Sequence, residues 1–155
     1  MKKISLTKGN VAFIDDEDTA LIAGYSWVSS HGYATARIRG GGGKQIRMHR
    51  LILGAGKGQE VDHINGNPLD NRRQNLRFCT RSQNLYNKKR QKNNTSGFKG
   101  VCWDKNRNKW RMQITISNKH VMKRFKKLKD AVVAYKQFAE IYYGVFARTD
   151  NQFQL

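Results

Sequence analysis

The segment from Val61 to Asn84 limits the possible fold of this chain more than any other. It reads VDHINGNPLDNRRQNLRFCTRSQN, in which two short runs with apolar residues flank a turn-rich loop. Asn65-Gly66-Asn67-Pro68 supplies the turn chemistry, because Asn and Gly tolerate left-handed backbone and Pro fixes its own φ. Thr80 and Gln83 have the spacing of a capping box, which predicts that a helix begins near Arg81. The segment therefore predicts a strand, a loop, a second strand and a helix.

Four polar side chains occupy functional positions in this predicted segment. Asp62 and His63 lie in the first strand, Asn75 precedes the second strand, and Asn84 falls in the first turns of the helix. A helix that returns toward the first strand brings a carboxylate, an imidazole and an amide carbonyl into one cluster. Oxygen ligands such as Asp62 and Asn84 suit Mg²⁺ or Mn²⁺, and a neutral imidazole suits proton transfer near neutral pH. The cluster predicts a hydrolytic metal site.

The spacing of these residues resembles the His-Asn-His (HNH) endonucleases with the ββα-metal fold, in the variant that opens with Asp-His and closes with Asn. The resemblance runs from Val61 to about Asn87 and is greatest to homing endonucleases of phages and introns. It implies one divalent metal on Asp62 and Asn84 and His63 as general base. It also implies that Asn75 holds the loop that bears His63. The structural alternative is an ordinary hairpin in which Asp and Asn serve only as turn residues.

Basic residues outnumber acidic residues throughout the chain. It contains 30 Lys and Arg against 11 Asp and Glu, a formal net charge of +19, and the excess grows toward the C-terminus. A basic surface favours a polyanionic partner, because each neutralised phosphate releases counterions. A merely solubilising surface charge is the alternative. We therefore predict double-stranded DNA as the partner. The candidate phosphate contacts within the motif are Arg72, Arg73, Arg77 and Arg81.

The two cysteines, Cys79 and Cys102, indicate the redox environment of the protein. They are far apart, and the sequence shows neither a signal peptide nor a long apolar segment. We therefore expect reduced thiols in a cytoplasmic protein, in the host cell if a phage encodes it. A zinc site is disfavoured, because the chain has no Cys-x-x-Cys pair. One site per chain favours a monomer over a dimer.

The region of residues 1–60 predicts short strands but no definite function. Ile4–Leu6 and Val11–Ile14 predict a hairpin, and Ser26–Ser30 and Tyr33–Arg39 predict further strands. Gly40–Gly43 predicts a flexible connection. The region is therefore expected to be a small β-rich extension of the nuclease motif.

Two features of this region are candidates for a role in the site. The acidic run Asp15–Asp18 is interpreted as the N-terminal cap of a short helix that extends through Tyr25, with a second metal cluster as the alternative. His49 precedes the motif and either contacts a phosphate, orients the site, or is an ordinary packed or surface histidine.

A second module is predicted for residues 93–155. Phe98–Trp103, Trp110–Ser117 and Lys119–Phe125 read as strands, and Asp130–Tyr143 reads as a helix. Apolar and polar residues alternate along the middle strand, so one sheet face packs on the helix and the other is free to enter the DNA major groove. The predicted apolar residues are Trp110, Met112, Ile114 and Ile116 on the strand, and Ala131, Ala134, Tyr135, Phe138 and Tyr142 on the helix.

The layout of this module resembles the Apetala/ethylene-response-factor DNA-binding domain, from about residue 94 to residue 151. The matching segments are Gly97–Val101, Lys109–Arg111 and Tyr143–Ala147. The resemblance implies that the exposed sheet face contacts DNA. Cys102 and Asp104 replace basic residues of the plant pattern, so the plant target sequence is not implied. The DNA-facing candidates are Lys99, Lys105, Arg107, Arg111, Gln113 and Lys119.

These expectations define an α+β chain of two domains. Residues 1–92 hold the β-rich region and a ββα-metal nuclease core with its motif at 61–87. Residues 93–155 form a three-stranded antiparallel sheet packed on one helix. The expected function is a site-selective nicking or homing endonuclease that hydrolyses DNA phosphodiester bonds. The alternatives are a catalytically idle DNA-binding regulator derived from such a nuclease and an RNA-binding accessory factor.

Overall fold

The structure is a computed structural model that describes residues 1–117 and 119–149. It divides into two compact units, Met1–Asn84 and the residues from Leu85 onward, and each unit has its own hydrophobic core. Both helices and strands are present, which confirms the α+β class. Among the described residues, no helix has the length and apolar character needed to cross a bilayer.

The first unit consists of short antiparallel sheets and three short helices, the last of which begins in it. The strands pair as β1–β2, as β3–β4–β5 and as β6–β7, which confirms the predicted N-terminal hairpin. The sequence did not predict β5 or α2. The elements are β1 (Lys2–Ser5), β2 (Val11–Ile14), α1 (Thr19–Ile22), β3 (Trp27–Ser30), β4 (Tyr33–Arg37), β5 (Gln45–Arg47), α2 (Met48–Ile52), β6 (Glu60–His63), β7 (Leu76–Cys79) and α3 (Arg81–Asn87).

The N-terminal region and the nuclease motif share one core. Val61 of β6 and Leu76 of β7 are buried in the same cluster as Ile14 and Met48. The loop between β6 and β7 is also held by β2, because Asn71 N donates to the carbonyl of the β2 residue Phe13 at 2.7 Å. A two-stranded ribbon has too little apolar surface to be stable alone. The N-terminal region therefore supplies the core that supports the motif.

The predicted capping box is confirmed at the start of α3. Thr80 N donates to Gln83 Oε1 at 2.8 Å, and Gln83 N donates to Thr80 Oγ1 at 3.2 Å. These reciprocal bonds satisfy backbone donors that the first turn of a helix leaves unpaired. They fix the start of α3 at Arg81, so that Asn84 lies in its first turn.

The acidic run Asp15–Asp18 does not cap a helix, so that interpretation was wrong. No side-chain capping bond is present here in the described part of the chain, and α1 is a shorter helix than predicted, ending at Ile22. The carboxylates instead hold Arg73. Asp18 Oδ1 accepts a hydrogen bond from Arg73 Nη2 at 2.6 Å, and Asp15 Oδ2 accepts one from the backbone N of Arg73 at 2.8 Å. Charge-assisted bonds to a guanidinium are stronger than a bond to a neutral helix N–H.

The second unit contains a three-stranded antiparallel sheet of order β10–β9–β8, with helix α4 against one face. Its elements are β8 (Val101–Asp104), β9 (Lys109–Ile116), β10 (Lys119–Phe125) and α4 (Leu128–Tyr143). Met112 and Ile114 of β9 are buried against α4, with Trp110 and Ile116 packed beside them, as predicted. Tyr142 is 52% exposed, so its predicted core position was wrong.

Tyr143, and not the neighbouring Tyr142 that the sequence predicted, makes the contacts with the sheet. Its hydroxyl donates to Thr115 O at 2.8 Å, and its ring stacks on Tyr86 with centroids 3.7 Å apart. The residues that follow Asn84 therefore pack with the C-terminal unit. The predicted domain boundary between residues 92 and 93 stays a prediction.

Replacing Gly100 with alanine is expected to destabilise the C-terminal unit strongly. A Cβ there would lie 2.1 Å from Tyr135 Cε2 and 2.9 Å from Gln113 O, and the backbone φ is +69°. Left-handed strain and overpacking together cost roughly 3 kcal/mol or more. Urea unfolding measures the change. Gly97→Ala is the matched control, because its φ is +82° but nothing lies within 4 Å. Equal destabilisation by both variants would contradict the steric argument.

Candidate active site

His63 lies at the C-terminal end of β6, on the side of the ribbon that faces the core. It pairs with Leu76 of β7 and is only 6% exposed. Its Nε2 lies 3.3 Å from Asn71 Oδ1. Burial lowers the pKa of His63 from its usual value, against the opposing effect of the Asn71 hydrogen bond. Its imidazole is therefore neutral near pH 7 and able to accept a proton.

Two aromatic rings surround His63 on this side. His49 packs edge-on against it with ring centroids 4.8 Å apart, and Tyr33 lies 6.1 Å from it. His49 is only 4% exposed, and burial lowers its pKa to about 3. A neutral, buried ring is poorly placed to contact a phosphate. Its packing against His63 is compatible with the orienting alternative, which stays a prediction.

Asp62 lies on the opposite side of the ribbon from His63. The register places it across from Arg77, whose Nε and Nη2 donate to Asp62 Oδ2 at 2.9 Å and 2.7 Å. Asp62 is 5% exposed, and a buried carboxylate requires such a partner. Arg77, predicted to contact phosphate, thus holds Asp62.

Asn84 reaches the Asp62 side of the ribbon through Glu60. Its Nδ2 donates to Glu60 Oε2 at 2.9 Å, and Glu60 shares a strand face with Asp62 because side chains two residues apart point the same way. The amide oxygen of Asn84 makes no hydrogen bond within the described residues. Hard oxygen donors on one face, one of them without a hydrogen bond, fit a divalent cation.

Glu60 was not identified from the sequence, although it was detectable. A second carboxylate two residues before Asp62 lies on the same face of any strand that contains both. What the sequence did not indicate is its partner, because Asn84 is contributed by a helix that follows β7.

Asn75 holds the loop that follows His63. Its Oδ1 accepts from Asn65 N at 2.9 Å, and its Nδ2 donates to Asp70 O at 2.7 Å. It is only 6% exposed, so both bonds are shielded from water. The oxygen and the nitrogen of the Asn75 side-chain amide therefore connect Asn65, at the start of the turn, to Asp70, near its end.

The predicted phosphate contacts in the motif differ in their surroundings. Arg72 pairs with Asp70 at 2.7 Å, and Arg73 pairs with Asp18 at 2.6 Å. Arg81 is exposed at the start of α3. Arg72, Arg73 and Arg77 thus each pair with a carboxylate of the same chain. Contact of any of the four arginines with DNA stays a prediction.

The acidic run also forms the second metal-capable group that the sequence suggested. Oxygen atoms of Asp15, Glu17 and Asp18 lie within 4.8 Å of one another. Arg73 already occupies this group, with its Nε 3.2 Å from Glu17 Oε1 in addition to its bonds to Asp18. The arrangement is therefore an internal ion-pair cluster.

The predicted DNA-facing residues of the second unit fall on different surfaces. Arg111 and Gln113 lie on the sheet face opposite the buried residues Met112 and Ile114. Lys119 is paired with Ile116, so it belongs to the sheet face that packs on α4 and not to the face of Arg111 and Gln113. The remaining candidates lie outside the strands: Lys105 and Arg107 in the exposed turn between β8 and β9, and Lys99 before β8, where its Nζ donates to Tyr86 O at 2.5 Å.

Comparisons with known proteins identify the same segment. A family model described as HNH endonuclease matches residues 48–86. The chain is 39% identical over 92 residues to Protein 3.8 of Escherichia phage T7, covering 59% of this chain and 76% of that protein. It is 29% identical over 147 residues to an uncharacterized HNH endonuclease of Acanthamoeba polyphaga mimivirus, covering 90% of this chain and 74% of that protein. No solved structure matches significantly. The chain belongs to the HNH endonuclease family.

Proposed function

We propose that this protein is a metal-dependent endonuclease that hydrolyses phosphodiester bonds of double-stranded DNA. The observation that carries the proposal is the position of His63, a buried imidazole with a lowered pKa that directly follows the carboxylate Asp62 at a strand end. Phosphodiester hydrolysis needs an activated water and neutralisation of charge on phosphorus. A proton acceptor and a metal ligand at consecutive positions of one strand end would supply both requirements.

Each motif residue has a distinct role in this proposal. His63 accepts the proton of the attacking water, and Asn71 and His49 keep its ring in place. Asp62 and the amide oxygen of Asn84 would hold Mg²⁺ or Mn²⁺, which would supply stabilisation of the negative charge that develops during hydrolysis. Asn75 maintains the loop after His63.

The two faces of the ribbon constrain the path of the substrate. Asp62 and His63 project to opposite sides of β6, and His63 is the last residue of that strand. A phosphate that lies across this strand end is able to meet both side chains. We therefore propose that the DNA backbone crosses the end of β6 rather than either face.

The relatives and the surface charge inform the biological setting. The two relatives described above are viral, and we propose a phage or viral enzyme of the homing or nicking type that acts as a monomer in the host cytoplasm. The competing proposal is a DNA-binding regulator that retains the fold without cleavage. The net charge of +19 supports nucleic-acid binding in either case.

Incubation with supercoiled plasmid tests the proposed activity. We expect nicked or linear DNA with Mg²⁺ or Mn²⁺ and intact DNA with a chelator. A chain that shifts DNA in a gel but leaves it intact with both ions supports the regulator instead. Cleavage or binding of RNA in preference to DNA supports the accessory-factor alternative.

We further propose that the C-terminal unit selects the cleavage site, in the manner of the Apetala-like domain that it resembles. The sheet face opposite α4 displays Arg111 and Gln113. A cavity of about 500 Å³ next to Gln113 is lined by basic residues that include Lys88, Arg90 and Lys99, and also by Tyr135 and Tyr143 of α4. Polar side chains beside a basic cavity suit contact with base edges and phosphates together.

Gln113→Ala is expected to broaden the distribution of cleavage positions while leaving the rate on saturating DNA unchanged. A side-chain contact with a base contributes about 1–3 kcal/mol of discrimination, so preference for the main site should fall about 5- to 100-fold. Mapping of cleavage ends measures it. Gln137→Ala, an exposed position on α4, is the control, and an unchanged map for Gln113→Ala would count against site selection by this face.

A further inference from the structure

The sheet β3–β4–β5 has one face turned away from the core. Ala34 is buried in the core and Trp27 packs against it, so residues at alternate positions along these strands point outward. The register Val28–Thr35–Arg47 and the pair Arg37–Gln45 define this outer face. The residues of the outer face are Val28, Ser30, Tyr33, Thr35, Arg37, Gln45 and Arg47.

The outer face leads directly to His63. Tyr33 belongs to it, and the Tyr33 ring centroid lies 6.1 Å from that of His63. The guanidinium of Arg47 lies over the same ring, 4.8 Å from its centroid. A molecule bound along the outer face would therefore continue to the proposed general base.

The charges on this face have no internal partners. Arg37 and Arg47, and Arg39 in the loop that follows β4, form no ion pair within residues 1–117 or 119–149. By contrast, three arginines of the motif, Arg72, Arg73 and Arg77, are paired with the carboxylates Asp70, Asp18 and Asp62. The outer face thus concentrates positive charge that the protein itself does not neutralise.

The shape of this region also suits a ligand. A cavity of about 960 Å³ lies over the outer face, and Arg37, Arg39 and Gln45 line it, without any carboxylate residue in its lining. Thr35, at its floor, is 4% exposed, and its hydroxyl has no hydrogen-bond partner among the described residues. Buried polar groups in native proteins are almost always paired. The basic lining favours an anionic occupant, and the unpaired hydroxyl favours a polar one.

We propose that the outer face binds the phosphate backbone of the DNA duplex beside the scissile phosphate. The hairpin of β4 and β5 forms one edge of the three-stranded sheet, and β-strands are able to enter the major groove of B-form DNA. Arg37 and Arg39 contact phosphates that flank the cut, and Arg47 with Tyr33 directs the strand to His63. This inference rests on the proposed nuclease function and assigns a task to the N-terminal region.

The double variant Arg37→Ala/Arg39→Ala tests the proposal. Its affinity for a labelled DNA duplex, measured with Ca²⁺ in place of Mg²⁺, is expected to fall about 10-fold or more, and the slope of log affinity against log salt should decrease by about 2. Hydroxyl-radical footprinting should show loss of protection on one side of the cut only.

Lys2→Ala/Lys3→Ala is the matched control, because it removes the same charge from exposed positions on β1. An equal loss of affinity in this control, or an unchanged footprint in the arginine variant, overturns the proposal. Equal competition by an RNA duplex of the same sequence also overturns it, because the narrow major groove of A-form RNA excludes a β-ribbon.

Failure of this inference is distinguishable from failure of the proposed function. The binding and footprinting measurements do not depend on cleavage. If the natural chain binds but does not cut, and the arginine variant still loses the one-sided protection, then hydrolysis is refuted and the binding surface stands. If the natural chain cuts and the arginine variant binds equally well, then the nuclease stands and this surface is refuted.

Discussion

Replacing His63 with alanine is expected to lower the rate of plasmid cleavage by about 10²- to 10⁴-fold, the usual contribution of a positioned general base. The variant should still shift DNA in a gel, because His63 is only 6% exposed and contributes little to the charged surface. Agarose electrophoresis of supercoiled plasmid with Mg²⁺ measures the rate. Equal cleavage by the natural chain and the variant would show that another group activates the water.

Loss of the imidazole also opens space next to His49, so a second variant separates chemistry from folding. His63→Gln retains a polar side chain near Asn71 Oδ1, which lies 3.3 Å from the natural His63 Nε2, but it has no basic ring nitrogen. It should unfold near the natural midpoint and remain inactive. His31→Asn, at an exposed turn position with φ of 49° that Asn tolerates, is the control and should cut normally.

The pH dependence provides a readout that a structural role would not change. Burial lowers the pKa of His63, so its neutral form persists as pH falls through the usual histidine value near ~6.5. Cleavage should therefore decline only at pH values below that point. A decline that begins above pH ~7 would show that a different group controls the rate.

The second large effect is expected when a proposed metal ligand is removed. Asn84→Ala should reduce cleavage by about 10²-fold or more at low Mn²⁺, because metal-assisted charge stabilisation is worth several kcal/mol. The Mn²⁺ concentration for half-maximal cleavage should rise, and Mn²⁺ binding followed by calorimetry should weaken. An unchanged metal dependence would exclude Asn84 as a ligand.

Asp62→Asn is the companion variant for the same site. The amide leaves an acceptor for Arg77, whose Nη2 lies 2.7 Å from Asp62 Oδ2, so the half-buried guanidinium is not left without a partner. The substitution of Asp62 by Asn removes the negative charge that a hard cation prefers. We expect a similar rise in the Mn²⁺ requirement. Asn87→Ala is unsuitable as a control because that side chain is buried; Gln74→Ala is exposed and should behave as the natural chain.

Much of the local structure was predictable from the sequence. The capping box at Thr80 and Gln83 and the N-terminal hairpin depend on residues close in the chain, and the structure confirms both. Alternation along β9 correctly identified its buried face, because the period of a strand is set by backbone geometry. By contrast, Tyr142 and Tyr143 differ by one position on a helix, and packing alone determined which of them faces the sheet.

The partners of the charged side chains were not predictable in the same way. Arg73 pairs with Asp18, 55 residues away, and the acidic run was consequently misread as a helix cap. The sequence also did not indicate that His49 lies against His63 or that Glu60 holds Asn84. Such pairs depend on where separate elements meet in space, which local propensity does not encode.

By itself, the sequence determined the order of strand, loop, strand and helix in the motif and the residue types available for hydrolysis. These follow from short-range backbone preferences and from side-chain chemistry. The alternation of Asp62 and His63 across β6 likewise follows from the period of a strand. Only the tertiary structure decided that the N-terminal region shares the motif's core, that Glu60 holds Asn84, and that the arginines of the outer face lack carboxylate partners. The physical reason is that burial and ion pairing are set by proximity between distant segments, whereas caps, turns and strand periodicity arise within a few residues.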